Sequence, residues 1–204
     1  MSGMAIYMEG GGDSRDSKAA LRQGMDVFLD PLKAAARAMS WRWKLVCCGG
    51  RQEALNAFVR ALRADESAVT ALLVDAEGPV AASSCAHLQA RDGWDLRDVS
   101  DDLVHLMIQT MEAWIVADAV ALAVYYGQRF KRNLLPRALN LEAVRKTELA
   151  SALEQATRST QKGAYHKIRH ASDLLQRIDR QTVRQSCPSC TRLFDSLGAM
   201  IATA

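Results

Sequence analysis

Thr70-Ala71-Leu72-Leu73-Val74-Asp75-Ala76-Glu77-Gly78-Pro79 is a short apolar run that ends in two carboxylates and then in two turn formers. Small and branched apolar residues bounded in this way suit a strand buried on both faces, the habit of a parallel sheet. Such a strand delivers its acids at its carboxyl end, where open α/β sheets bind ligands. Asp75 and Glu77 are two residues apart, so in an extended chain both side chains project to the same side. Two anions that close repel unless a cation or a shared proton intervenes, and a hard divalent metal with oxygen ligands meets that need. The plainer reading is a solvated turn after a strand.

Working outward, Ala5-Ile6-Tyr7-Met8-Glu9 is a second apolar run tipped by an acid, and Gly10-Gly11-Gly12-Asp13 follows it. The glycines permit a sharp turn and a close backbone approach to a ligand, although neither a Walker loop nor a dinucleotide fingerprint is present. Leu21, Met25, Phe28, Leu32, Ala36 and Met39 recur at helical spacing. They predict an amphipathic helix over 14–39, capped by Asp13 or Ser14 and kinked or divided at Pro31. Trp43 to Cys48 with Gly49-Gly50 is the next strand and turn, and Arg51 to Arg63 is a crossover helix. Leu103 to Thr110 is a fourth strand, after which a helix runs from Met111 to Tyr126 and stops at Gly127. Glu112 thus lies at another strand-to-helix junction. The alternation predicts the α/β class, with a mostly parallel four-stranded sheet flanked by helices.

Beyond Gly127 the pattern is helical, over Asn140 or Leu141 to Ala156 and over Ala171 to Ile178. We expect residues 1–128 to form the α/β core and 129–204 a helical, basic extension packed on it. From Arg129 onward 14 Lys and Arg stand against 6 Asp and Glu, and before it 12 stand against 17. The two parts therefore carry +8 and −5, together the net +3 of the 204-residue chain. An acidic sheet region joined to a basic one suits a metal-dependent enzyme acting on a polyanion, and equally an Arg-rich helical surface. Within the basic part, Lys162, Lys167 and Arg169 are candidate phosphate contacts, with Tyr165 or His166 able to stack on a base or donate to a phosphate. A solvated loop or a protein-docking surface is the alternative, and His166 is also a candidate general acid.

No apolar run approaches the roughly 20 residues of a membrane span, and the first residues lack a basic region followed by a long apolar core, so a cytoplasmic protein is expected. Five cysteines do not suggest a disulfide framework. Cys187 and Cys190 form a single Cys-x-x-Cys, which needs partners such as His166 or His170 to close a zinc site.

Glu9 after the first strand, with Asp75 and Glu77 after the third, resembles the Toprim arrangement of topoisomerases, primases and overcoming-lysogenization-defect nucleases. More closely, Met8-Glu9-Gly10-Gly11, Val74-Asp75-Ala76-Glu77, His105 to Trp114 and Lys162-Gly163-Ala164-Tyr165-His166-Lys167 together resemble the domain-of-unknown-function 4276 family, regarded as Toprim-like and akin to RloB-like proteins. That resemblance implies a small protein often encoded beside an ATPase, with a role in defence against phage. Toprim proteins usually carry two aspartates where this chain has Asp75-Ala76-Glu77, and the longer glutamate alters the geometry offered to octahedral Mg²⁺.

On this reading Glu9, Asp75 and Glu77 hold Mg²⁺ or Mn²⁺, with Asp13 and Glu112 as further ligands or water-positioning groups. The expected activity is metal-dependent phosphodiester hydrolysis of nucleic acid by a nuclease or nicking subunit with a partner ATPase. The rival is a non-catalytic sensor or interaction module bound to that ATPase.

Overall fold

The computed structural model describes residues 2–64 and 68–203. The chain opens with β1 (Gly3–Met8), α1 (Arg15–Phe28), α2 (Asp30–Ala38), β2 (Arg42–Cys47), α3 (Arg51–Ala64), β3 (Ala68–Asp75), α4 (Ser84–Asp92) and β4 (Val104–Met107). It continues through α5 (Met111–Ala117), α6 (Ala119–Tyr126), α7 (Lys146–Thr157), α8 (Lys167–Leu175), α9 (Arg180–Ser186) and α10 (Pro188–Ala202). The four strands are all parallel, in the order β2-β1-β3-β4. This is the α/β class expected, without an antiparallel member.

Alternation along the strands divides the interior into two layers. Met4, Ile6 and Met8 of β1, Ala71 and Leu73 of β3 and Met107 of β4 face a large cluster with α1, α2 and the helices from α5 to α10. Tyr7, Leu72, Val74, Val104 and Leu106 face a smaller one with α3 and α4. The large cluster takes in side chains from Met4 to Ile201, so the basic C-terminal helices share a core with the sheet. No described helix is long and apolar enough to cross a membrane.

Several boundaries differ from expectation for local reasons. The fourth strand stops at Met107 because Gln109 turns into the left-handed region, φ 64°. The helix expected over 111–126 breaks at Asp118. There the carboxylate accepts from the N–H of Val120 and of Ala121, at 3.1 and 2.9 Å, and so starts α6, while its other oxygen accepts from Asp179 N. The helix expected over 141–156 is a 3₁₀ turn, Leu141–Ala143, followed by α7. The helix expected over 171–178 begins four residues earlier, at Lys167, so the basic run is partly a helix start. At Pro31 the first long helix divides as expected, with the proline opening α2.

Two features fix α8 and α10. Gly24 of α1 lies against the backbone of Ser172 in α8, where an added Cβ would come within 2.5 Å of a carbonyl oxygen. Ser172 Oγ donates across the same crossing to Ala20 O. On α10, Arg192 donates to Ser84 Oγ and Val104 O, both at 3.0 Å, and to the Asp101 carboxylate at 2.8 Å.

Gly24→Val should therefore force α1 and α8 apart. Overpacking typically costs about 1–3 kcal/mol, so the melting temperature should fall by several degrees, measured by calorimetry. An unchanged value would mean that the crossing is loose.

His105 of β4 is 1% exposed, and neither ring nitrogen has a hydrogen-bond partner of ordinary geometry, although the Asp102 backbone favours the cation. Burial, reinforced by the Arg192 charge and opposed by Asp101, pushes its pKa down to about 3. The unfolded chain takes up this proton near pH 6.5, so stability is lost as pH falls from there toward 3. Relative to wild type, His105→Leu should gain stability by about 1 kcal/mol per pH unit between pH 6 and 4 in denaturant titrations. A difference that stays flat with pH would show the imidazole to be solvated.

Candidate active site

The carboxyl edge of the sheet gathers acids from three turns. Asp75 is the last residue of β3 and only 3% exposed. One carboxylate oxygen accepts from the Met111 N–H at the start of α5 at 2.8 Å, and the other from Lys167 Nζ at 2.8 Å. Glu9 follows β1 and prolongs its ladder, donating its N–H to Leu73 O. Its carboxylate lies 3.0 Å from Arg51 Nη1. Glu112, in the first turn of α5, accepts from Tyr165 Oη at 3.0 Å and lies 3.8 Å from Lys167 Nζ. Lys167 thus bridges Asp75 and Glu112.

The electrostatics record too much negative charge. Burial, and then the charge of Asp75, raise the pKa of Glu9 despite Arg51 and Lys167. Burial also raises Asp75, helped by Glu112 and opposed by Lys167. Burial works against the Lys167 ammonium, yet Asp75, Glu112 and Glu9 together hold it protonated well above the ordinary lysine range. Burial and the neighbouring Glu112 likewise keep the Tyr165 phenol protonated. Burial is the first cause for both acids, and the acids in turn raise Lys167, since they outnumber their partners: Glu9, Asp75 and Glu112 have Lys167 and share Arg51 with Asp92. Arg91 reaches only Asp92, and even with it one negative charge remains over.

Glu77 does not join this group. The strand has ended at Asp75, and Glu77 sits in the left-handed region at φ 65°, so the two-residue alternation expected of an extended chain does not hold. Its N–H donates to Gln109 O at 2.8 Å, and its carboxylate is ion-paired with Lys146. Asp13 is exposed in the loop before α1, where Ser14 is the cap. Of the basic run, Lys167 and Tyr165 turn inward onto the acids. Lys162 lies 4.5 Å over the Tyr125 ring. His166 and Arg169 are exposed at the start of α8, where the His166 N–H donates to His170 Nδ1.

Arg51, Asp92 and Lys146 were missed in the sequence. Arg51 grips Asp92 with two hydrogen bonds, at 3.1 and 2.7 Å, reaches Glu9 and the Asp75 carbonyl, and lies 5.0 Å over the Trp94 ring. Its signal was available: Cys48-Gly49-Gly50-Arg51 repeats the strand-then-glycine form of Met8-Glu9-Gly10-Gly11 at the same sheet edge. Gly10 and Gly49 pair with each other through two backbone hydrogen bonds, 2.8 and 3.0 Å. Gly10, Gly11 and Gly12 all have positive φ. With Glu9, Ser17 and the start of α8 they line a cavity of 380 Å³.

The donor set contains only oxygen and carries surplus negative charge, so its chemistry fits Mg²⁺ or Mn²⁺. Its arrangement is incomplete: among the described residues no three His, Cys, Asp or Glu side chains are placed to hold a metal, and Lys167 takes an oxygen of Asp75. Cys187 and Cys190 are buried thiols with pKa values pushed up chiefly by burial, and His170 is bonded to Tyr126 and the His166 backbone instead.

Fold and site together define an α/β protein with a partly compensated acidic cluster at the carboxyl edge of a parallel sheet. The sequence model of DUF4276, a domain of unknown function, matches residues 8–198, and the chain belongs to this family. No curated protein and no solved structure matched it.

A double-mutant cycle tests the central pair. Lys167→Met should destabilise the fold, and Asp75→Asn should recover much of the loss. Because the Lys167 side chain is 44% exposed, a coupling near 1 kcal/mol is expected. Additive effects would dissolve the bridge.

Proposed function

We propose that the protein is a metal-dependent phosphodiester hydrolase acting on nucleic acid, with a Toprim-like core akin to RloB-like proteins. The observation that carries this reading is the convergence of Glu9, Asp75 and Glu112 beside a glycine-floored cavity at the carboxyl end of the sheet. A role as effector of an anti-phage system with a partner ATPase rests on the family resemblance alone.

In this mechanism Glu9, Asp75 and Glu112 would hold Mg²⁺ or Mn²⁺ once their side chains close on it, and the ion would supply charge neutralisation and a more acidic water. Asp75 cannot serve an ion and Lys167 through the same oxygen, so with an ion in place Lys167 would be released to pair with a phosphodiester. Arg51 adds a second cation on the far side of Glu9. The bare Gly10–Gly12 backbone lets a phosphate come close. The attacking water would pass its proton to Glu9, whose pKa is raised, as its oxygen bonds to phosphorus; the P–O bond to the leaving oxygen breaks and that oxygen takes a proton from solvent.

A second reading has its own support. Lys146 on Glu77 and Lys167 on Asp75 neutralise the acids internally, as a non-catalytic module held by an ATPase would require.

Two measurements separate these readings. Mn²⁺ should raise the melting temperature of the wild type and of Lys167→Met but not of Asp75→Asn. Cleavage of labelled DNA and RNA in Mn²⁺ should fall at least 100-fold in Asp75→Asn and Glu9→Gln, both still folded. Absence of Mn²⁺ stabilisation and of cleavage, with an ATPase co-purifying, would establish the non-catalytic module.

A further inference from the structure

The open edge of the sheet carries a second feature that the acids do not use. β2 pairs only with β1, and beside it α1 and α2 enclose a groove of 840 Å³. A further hollow of 510 Å³ shares Asp16, Arg22 and Lys44 with it and continues to Arg15 and Lys18. Lys18 in turn packs against the glycine turns that line the acid cavity: a Cβ on Gly49 would come within 2.9 Å of its Nζ. The groove therefore runs along the sheet edge and ends beside Glu9.

Its charge is one-sided. Six cations line it, Arg15, Lys18, Arg22, Lys33, Arg37 and Lys44, against two carboxylates, Asp16 and Asp26. Asp26 is consumed by Lys33 and by the Trp43 indole N–H at 2.8 Å. Among the described residues the other five cations form no ion pair, and Lys44 lies over the Tyr7 ring at 5.7 Å. Arg15, Lys18 and Arg22 are spaced three and four apart on one face of α1, over roughly 10 Å of helix axis. Trp43 lines the same groove, its indole edge fixed by Asp26. A concave track of unpaired cations with an aromatic wall is the footprint of single-stranded nucleic acid, whose phosphates need the charge and whose bases have faces to stack.

We propose that this groove binds the backbone of a single-stranded nucleic acid and leads it to the acid cavity. The proposal rests on the nucleic-acid reading above, but it concerns binding and not cleavage. It transfers the main phosphate-binding role from the surface around Lys162 and Arg169 to α1, α2 and β2.

The test is fluorescence anisotropy with labelled 20-nucleotide single strands of DNA and of RNA, and a 20-base-pair duplex, in EDTA at 50 and 200 mM salt. The wild type should bind single strands of at least one kind more tightly than the duplex. With about 0.7 counterions released per phosphate contact, R22Q/R37Q/K44Q should flatten the log–log salt slope by about 2 and weaken binding at least 10-fold at 50 mM. Trp43→Leu should weaken it about 10-fold with the slope unchanged. K162Q/R169Q should change neither. No binding at 50 mM salt, tighter binding of the duplex, or loss carried by K162Q/R169Q would each overturn the proposal. Hydrolysis of bis(p-nitrophenyl) phosphate with Mn²⁺, which does not need the groove, is followed in parallel. Its absence with binding intact would reject the hydrolase and leave the groove standing.

Discussion

A carboxylate with almost no contact with water must be given a cation or keep a proton, and Asp75 imposes that demand where β3 ends. Lys167 meets it from a helix distant in sequence. For the ammonium to reach Asp75, α8 must lie close against α1, and the absence of a side chain at Gly24 permits that approach. The same placement brings Tyr165, just before α8, onto Glu112. A small glycine in the first helix thus conditions the charge balance at the sheet edge, and the C-terminal helices are part of the site instead of an appendage to it.

The sequence made the sheet legible because burial on both faces leaves apolar runs with no polar alternation. β1 and β3 are of this kind, and acids at their ends are conspicuous. Glu77 was misplaced because strand geometry was carried two residues past the strand. The break at Asp118 was hidden by an uninterrupted apolar pattern, since a carboxylate can cap a new helix without disturbing that pattern. Arg51 looked like any solvated residue in a first helical turn. The glycine pair before it marks a turn at the sheet edge, but it is the strand order, with β2 beside β1, that sets Arg51 next to Glu9.

Charge was the least legible property. Dividing the chain at Arg129 gives an acidic and a basic part, and this directs attention to the basic residues after it. A linear sum cannot say which face a side chain occupies. Lys167 belongs to the basic part and serves the acids. Arg15, Lys18, Arg22, Arg37 and Lys44 belong to the acidic part and line one groove. The α1 stripe of Leu21, Met25 and Phe28 was read for its buried face, and the flank next to it, turned toward β2, carries the cations.

The turns that bear the acids differ in stiffness, and this bears on what each can do. Gly10, Gly11 and Gly49 adopt positive φ without steric penalty, and the bare backbone there leaves room beside Glu9. Glu77 and Gln109 occupy the same region with full side chains, which costs on the order of 1 kcal/mol each. They persist because each is overdetermined. Glu77 is tied by Gln109 O and Lys146, while the Gln109 side chain accepts from Lys146 N and donates to Glu142 O. The exit of β3 is thereby clamped to that of β4, so Asp75 and Glu112 issue from a rigid frame. What freedom the cluster has lies in the side chains of Glu9 and Lys167, whose charged ends reach Arg51 and Asp75 from outside that frame.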